Sequence, residues 1–231
     1  MSIDHERIKE FYDTDYYRNA SAGVLPWHQR KVLASLGDLR GKRILDIACG
    51  TGDALAYFSS QGAEVVGIDI SEKAAAVCRQ RLPDADIHVG VAEKLPFESG
   101  RFDHVTCFGS LEHFLNQPGA LAEMRRVMKD GDGSILVLVP NSGFLTRRLG
   151  LYRGTNQSGV RETVLSIDEW RAMLEASGLN IEAMYRDLRP LSFGWINQGG
   201  FVSRIVRSAQ ALTLAVWPLG WQYQVYFRCR K

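Results

Sequence analysis

The sequence predicts an α/β fold, a mainly parallel sheet wound on both faces by helices, and three observations carry that prediction. Short apolar runs that end in turns recur five times before residue 140, the pattern of strands buried on both faces. Segments of helical periodicity separate them, so successive strands are joined by crossovers rather than hairpins. The first run ends in a glycine-containing turn, which opens a ligand site at the carboxyl edge of such a sheet.

Composition fits this class. The chain has 231 residues, 45% hydrophobic and 23% charged, enough for one large domain or one domain with appended elements, and it excludes disordered, collagen-like and coiled-coil classes. Its 28 basic and 26 acidic side chains give a formal charge of +2, far from the balance of a protein that lives on phosphate backbones, so no nucleic-acid partner is expected. Cys49, Cys78, Cys107 and Cys229 have no C-x-x-C spacing and read as free thiols in a reducing compartment. Met1 to Tyr17 has neither a basic start nor an apolar stretch, so a cytoplasmic protein without a secretory signal is expected. The longest charge-free run, Ser208 to Phe227, contains glutamines, Pro218 and Gly220 and does not read as a membrane span.

Taken in order, Ile3 to Leu36 reads as helix in two pieces, broken around Ser21 to Pro26, and forms a cap over residues 1–40. Arg43 to Ala48, with Ile44, Leu45 and Ile47, is the first buried strand, and a helix runs from Asp53 to about Gln61. Glu64 to Ile70 is the second strand, followed by a helix from Ser71 to Leu82 with Ser71 placed to cap it. Asp86 to Val91, Phe102 to Phe108 and Ser134 to Val139 are the third to fifth strands, with a helix from Pro118 to Met128 before the fifth. These complete a cofactor-binding core over 41–141, with the site at the ends of the first, second and fourth strands. Beyond Pro140 come a polar, glycine-rich stretch from Asn141 to Val160, a helix at Ile167 to Ser177 and a strand near Ile181 to Tyr185. A final strand at Tyr223 to Cys229 lies in 223–231, after an acceptor-side region over 142–222, and the whole reads as a single domain over 1–231.

The run ILDIACGTGDAL, Ile44 to Leu55, carries the most chemistry. Gly50 and Gly52 let backbone N–H groups approach a ligand where a Cβ would obstruct, although a glycine turn can also serve strand-to-helix geometry alone. Asp69 ends the second strand, where a carboxylate accepts hydrogen bonds from two ribose hydroxyls and repels a 2′-phosphate. A nicotinamide dinucleotide and S-adenosylmethionine both suit this arrangement. Leu55 occupies the position where the dinucleotide fingerprint has a third glycine or alanine. Asp46, inside the strand and directed at the turn, needs a cation or donor to offset its lost solvation, which an amino acid's ammonium supplies and a pyrophosphate does not.

On these residues the chain resembles the class I S-adenosylmethionine-dependent methyltransferases, in particular the small-molecule enzymes typified by ubiquinone and menaquinone biosynthesis methyltransferases. The resemblance covers about Lys42 to Val139, with VVGIDIS (Val65 to Ser71), VAEKLPFESGRFDHVTCFGSLEHF (Val91 to Phe114) and LAEMRRVMKDGDGSILVLVPN (Leu121 to Asn141) following the first block in order. It departs at Asp130 to Gly133, where the family has a Pro-Gly-Gly turn. The resemblance implies a Rossmann-like, doubly wound, mainly parallel seven-stranded sheet whose last strand is antiparallel, with a helical N-terminal cap and a helical insertion before the last strand. It implies S-adenosyl-L-methionine as cofactor, with Gly50 and Gly52 on the methionine side, Asp69 at the ribose, Ala92 and Glu93 at the adenine and Phe108 beneath the cofactor, and Asp46, Ala48 and Ile70 are further cofactor-binding candidates.

Methyl transfer needs mainly a positioned nucleophile and an excluded solvent. The expected acceptor is a small, apolar or amphiphilic molecule methylated on O, N or C. His113, just past the fourth strand, is the candidate base, with a capping or packing histidine as the competing reading, and His28, beside Trp27 in the cap, is a second candidate. No His, Cys and Asp cluster has metal-ligand spacing, so no metal is expected. Tyr12, Tyr16 and Tyr17 suit an aromatic lid over a sulfonium, although such spacing more often docks a helix onto the body. Arg147, Arg148 and Arg153 suit an acidic acceptor or a solvated loop. Between Phe201 and Trp217 a stripe of Phe201, Val202, Ile205, Val206, Ala209, Leu212 and Val216 forms one helical face, read foremost as packing or a wall of the acceptor site. A homodimer contact is a further reading, and membrane contact through 199–222, with Trp217 and Trp221 as anchors, is the one the sequence does not favour. Two other functions are left open: an NAD-dependent oxidoreductase, disfavoured by Leu55 and the lack of a Tyr-x-x-x-Lys pair, and a non-catalytic cofactor-binding partner subunit, disfavoured by the intact block from Asp46 to His113.

Overall fold

A computed structural model describes residues 2–148, 150, 162–197, 200–213 and 216–231. Arg153 and most of the loop around it lie outside these residues, as does the side chain of Val202. Among the described residues, seven strands form one sheet, β1 (Arg43–Ile47), β2 (Glu64–Asp69), β3 (Asp86–Val89), β4 (His104–Phe108), β5 (Ser134–Pro140), β6 (Asn180–Arg186) and β7 (Gln224–Arg230). Their order is β3-β2-β1-β4-β5-β7-β6, parallel throughout except for β7, which is antiparallel to both β5 and β6. Every strand begins and ends within two residues of the apolar run that predicts it, because turn residues bound each run.

Helices α1 (Ile3–Phe11) and α2 (Trp27–Leu33) belong to the cap, and α3 (Asp53–Ser60), α4 (Glu72–Arg81) and α5 (Gln117–Val127) are the crossovers. Then follow the short α6 (Leu145–Arg148), α7 (Ile167–Ala176), the short α8 (Phe193–Ile196) and α9 (Phe201–Thr213). Leu121 and Met124 of α5, with Trp170 and Leu174 of α7, bury one face of the sheet against Val105, Val137 and Phe227. Val32 and Leu33 of α2 and Phe58 of α3 bury the other against Ile44, Leu136 and Tyr226. Ser71 caps α4 as its sequence position predicts, its hydroxyl accepting the Ala74 N–H at 3.1 Å.

Two elements depart from expectation. After Phe11 the cap helix widens into a turn of π-helix over Tyr12–Tyr16, a local irregularity common at functional sites. Helix α9 packs the opposite way round from the expected acceptor wall. Arg207, Ser208 and Ala211 are half-buried against the body, whereas Phe201, Ile205, Val206 and Leu212 are exposed, and none of them borders the cavity described below.

Strand order reverses between β1 and β4, where crossovers leave in opposite directions and a crevice opens beyond the carboxyl ends of the strands.

Candidate active site

The crevice is a cavity of about 470 Å³. The ends of β1, β2 and β4 build its floor, the loop after β3 one wall and the N-terminal cap its roof. Asp46, Ala48, Gly50, Asp69, Ile70, Ala92, Glu93, Phe108 and His113, scattered through the sequence, all border this one space.

The turn after β1 is shaped by backbone conformation. Gly50 has φ +54°, and a Cβ there would meet the Tyr17 hydroxyl at 2.8 Å. Ala48, with φ 55°, is the only non-glycine with positive φ among the described residues, strain of the kind that concentrates at binding sites. Gly52 lies off the cavity wall. Its φ is +82° and an added Cβ would stand 2.5 Å from Cys78 Sγ, so its lack of a side chain serves close packing of the turn on α4. Leu55, in the place of a third fingerprint glycine, is fully buried.

Two carboxylates anchor the polar end. Asp69 accepts the Gly50 N–H and the Ser71 N–H, each at 2.8 Å. Burial still raises its pKa above the ordinary range, against those bonds. Asp46 accepts one short bond from Thr106 Oγ1, at 2.5 Å. Burial, with the nearby charge of Asp69, pushes it up to about 7 despite that bond. A buried carboxyl so poised gains most from an added cation. Glu93 is already engaged: its Oε1 accepts the N–H groups of Leu115 and Asn116 at 3.0 and 3.3 Å, and its Oε2 lies 3.5 Å from His5 Nε2 at the rim.

The roof is aromatic. Tyr12, Tyr16 and Tyr17 border the cavity and pack edge-on or tilted at 4.9 to 6.1 Å between centroids. Burial raises the pKa of Tyr12 and Tyr17, so both stay neutral. They dock the cap and line the site at once. Asp13 fastens this roof, accepting Ser71 Oγ at 2.6 Å and the Lys73 N–H at 3.3 Å with one oxygen and Lys9 Nζ at 2.5 Å with the other. Arg81 makes a second fastening, donating to the Gly23 carbonyl at 2.8 Å and to Asp53 at 2.5 Å, while Asp53 accepts the Gly23 N–H at 3.0 Å.

The far end holds Phe108, Ser110, His113 and Gln29. His28, the second candidate base, points elsewhere. Its Nδ1 lies 3.8 Å from Asp187 Oδ1 in a buried cluster between the cap and β6, burial lowers its pKa, and it does not border the cavity. Arg147 and Arg148 end α6 on the surface, also off the cavity. Glu112 is buried, its Oε2 has no hydrogen-bond partner among the described residues, and burial pushes it up to about 8. Asp13, Gln29 and Arg81 carry no motif of their own, and Glu112 lies within the Val91 to Phe114 block without a chemical signal that singles it out. Only the tyrosine cluster offered a sequence signal for the roof.

A doubly wound sheet with a glycine turn, two buried carboxylates and an aromatic roof at its switch point defines a nucleotide-cofactor-binding α/β protein. Residues 45–137 match the methyltransferase domain family. The demethylmenaquinone methyltransferase of Beutenbergia cavernae is 38% identical over 202 residues, covering 84% of each chain. That of Renibacterium salmoninarum is 38% identical over 109 residues, 47% of this chain and 46% of its own, so the chain spans about half the length of several curated relatives it matches. An S-adenosylmethionine-dependent methyltransferase of Mesorhizobium loti shares the fold, with TM-score 0.66 at 18% identity over 88% of this chain and 98% of that one. This chain belongs to the class I S-adenosylmethionine-dependent methyltransferases, a family whose cofactor is S-adenosylmethionine. The oxidoreductase alternative finds no support in these matches.

Proposed function

We propose that this chain transfers a methyl group from S-adenosylmethionine to a small, apolar or amphiphilic acceptor bound between Phe108, His113 and the tyrosine roof. The observation that carries the reading is that one cavity joins a cation-seeking carboxylate end to an aromatic end. The residues fit the cofactor: Asp46 would receive its ammonium, directly or through water, Asp69 its ribose hydroxyls, and Ala92 with Ile70 its adenine, while Gly50 leaves the backbone bare beside it. When bound, S-adenosylmethionine supplies a methyl group on a positively charged sulfur. Tyr12, Tyr16 and Tyr17, which border the cavity, would offer ring faces to that charge and keep water from the reacting atoms. Phe108 and the roof hold the acceptor in line, and the effective concentration so gained is the main contribution to rate. His113, which borders the same cavity, would take the acceptor's proton where the nucleophile carries one.

The relatives are named for quinone precursors, and an apolar ring acceptor of that class suits the aromatic end of the cavity. The same reading makes 1–231 one methyltransferase domain, with residues 1–40 as its roof.

Calorimetry with S-adenosylhomocysteine and with NAD tests the cofactor, and transfer of labelled methyl to demethylated quinone analogues tests the reaction. Binding of the first ligand and not the second is expected. Asp69→Ala should lose about 1–3 kcal/mol of cofactor binding, because the carboxylate orders Gly50 as well as meeting the ribose. Tight NAD binding without response to the methyl donor would overturn the proposal.

A further inference from the structure

Helix α9 buries the wrong face for a helix that serves only its own chain. An amphipathic helix on a globular protein turns its apolar stripe to the core. Here Arg207, Ser208, Gln210 and Ala211 are the half-buried positions, and Arg207 donates to the Trp195 carbonyl at 2.6 Å while its guanidinium stacks 4.7 Å from the Trp195 ring centre. The stripe lies outward: Phe201 is 79% exposed, Ile205 56%, Val206 58% and Leu212 86%. Phe193 in the adjoining α8 and Val216 just past the helix are exposed as well, at 83% and 81%. Exposed large apolar side chains gathered along one helix mark an interaction site.

The charges around it choose the occupant. From Leu188 to Lys231 the sequence has six cations and no carboxylate. Arg228 and Arg230 are paired with Glu182, and Lys231 with Asp130, on the sheet side, whereas Arg204 is exposed on the apolar helix and Arg189 is exposed in the turn before α8. A second copy of the chain docked on this face would add the same cations from the other side, with no carboxylate in the segment to neutralise them. Anionic lipid headgroups supply that charge, and acyl chains cover the stripe.

We infer that α9 is a membrane-interface helix, which seats the protein on anionic bilayer surfaces with Phe201, Ile205 and Leu212 dipped below the headgroups and Arg204 among them. Among the described residues no helix is long and apolar enough to cross a membrane, so the contact is peripheral. It stands independently of the methyl-transfer reading, since no α9 residue borders the cavity.

Flotation of the full chain with phosphatidylcholine vesicles, with and without phosphatidylglycerol, at about 50 mM and about 500 mM salt tests it. The expected result is recovery with the anionic vesicles at low salt and at least about tenfold less at high salt, with Arg204→Gln weakening partition by about fivefold. Ile205→Asp with Leu212→Asp should abolish binding while S-adenosylhomocysteine affinity stays unchanged, which shows that the variant is folded. Failure to float with anionic vesicles at low salt would overturn the inference, as would undiminished binding by the double variant. A concentration-dependent dimer in sedimentation velocity, lost in the double variant and without vesicle binding, would assign the face to a second copy instead.

Discussion

Asp46 and Glu112 are buried carboxyls that burial holds at about 7 and about 8, and their signs give a measurable pH dependence. Both folded values lie above the unfolded ones, so the native state binds more protons and stability falls as pH rises through the window. His104 works the other way. Burial beside Ser134 lowers it to about 4, so it costs stability only below its ordinary value of 6.5. Above pH 6.5 the His104 contribution is gone while those of Asp46 and Glu112 grow, and urea midpoints of the cofactor-free protein should fall from pH 6.5 to about 8.5. Glu112→Gln should flatten the slope and add about 1–2 kcal/mol near pH 8. A slope that the substitution leaves untouched would assign the effect to other groups. Asp46→Asn should likewise stabilise the cofactor-free chain at pH 8 yet weaken cofactor binding, since the carboxylate that strains the fold is the one a cation relieves. Gly50→Ala should do harm on both counts, at about 1 kcal/mol of stability for its positive φ and through collision with Tyr17. Of these residues, Asp46, Gly50 and Asp69 were legible because each follows a strand signal in a fixed order. Glu112 was not, because its meaning comes from burial that no local pattern encodes.

The cap is held at two fastenings, one at Asp13 with Ser71 and Lys73, the other at Arg81 with Gly23 and Asp53. Neither Asp13 nor Arg81 borders the cavity, so their substitution reports on the roof rather than on ligand contacts. Asp13→Ala or Arg81→Ala should raise the cofactor's Kd about five- to thirtyfold, the equivalent of about 1–2 kcal/mol of charge-assisted bonding. Unchanged affinity in both would show that the roof closes without them. The strands and crossover helices were legible to within two residues, since apolar runs, caps and turn residues agree there. The π-turn at Tyr12–Tyr16 was not, because aromatic residues four apart suit an ordinary helix equally well. Periodicity gave α9 its two faces but not which one turns inward, a choice made by the neighbours it meets.

Across the molecule, one cavity touches the cap, the ends of three strands and the loop after β3, so ligand binding couples parts of the chain far apart in sequence. At a hundred times its Kd the cofactor adds about 2.7 kcal/mol to stability. Hydrogen exchange should slow over Ile3 to Tyr17 as well as over the turn at 48–52. Protection confined to that turn would mean that the cap is not part of the binding unit. Alternation of strand and helix made the sheet's class readable, but not its order, because which strands lie side by side depends on crossovers and handedness rather than on any one segment. The antiparallel β7 was legible only through family resemblance, for a short apolar run carries no sign of its direction.

The place of β7 has a consequence for synthesis. It lies between β5, whose seven residues are all buried, and β6, which has no other partner strand among the described residues. Until residues 224–230 emerge from the ribosome, β5 presents an unpaired apolar edge and β6 hangs unattached, although everything needed for the first five strands has been made. The nascent chain is therefore sticky from the synthesis of β5 until that of β7, and it is then that a chaperone has most to cover.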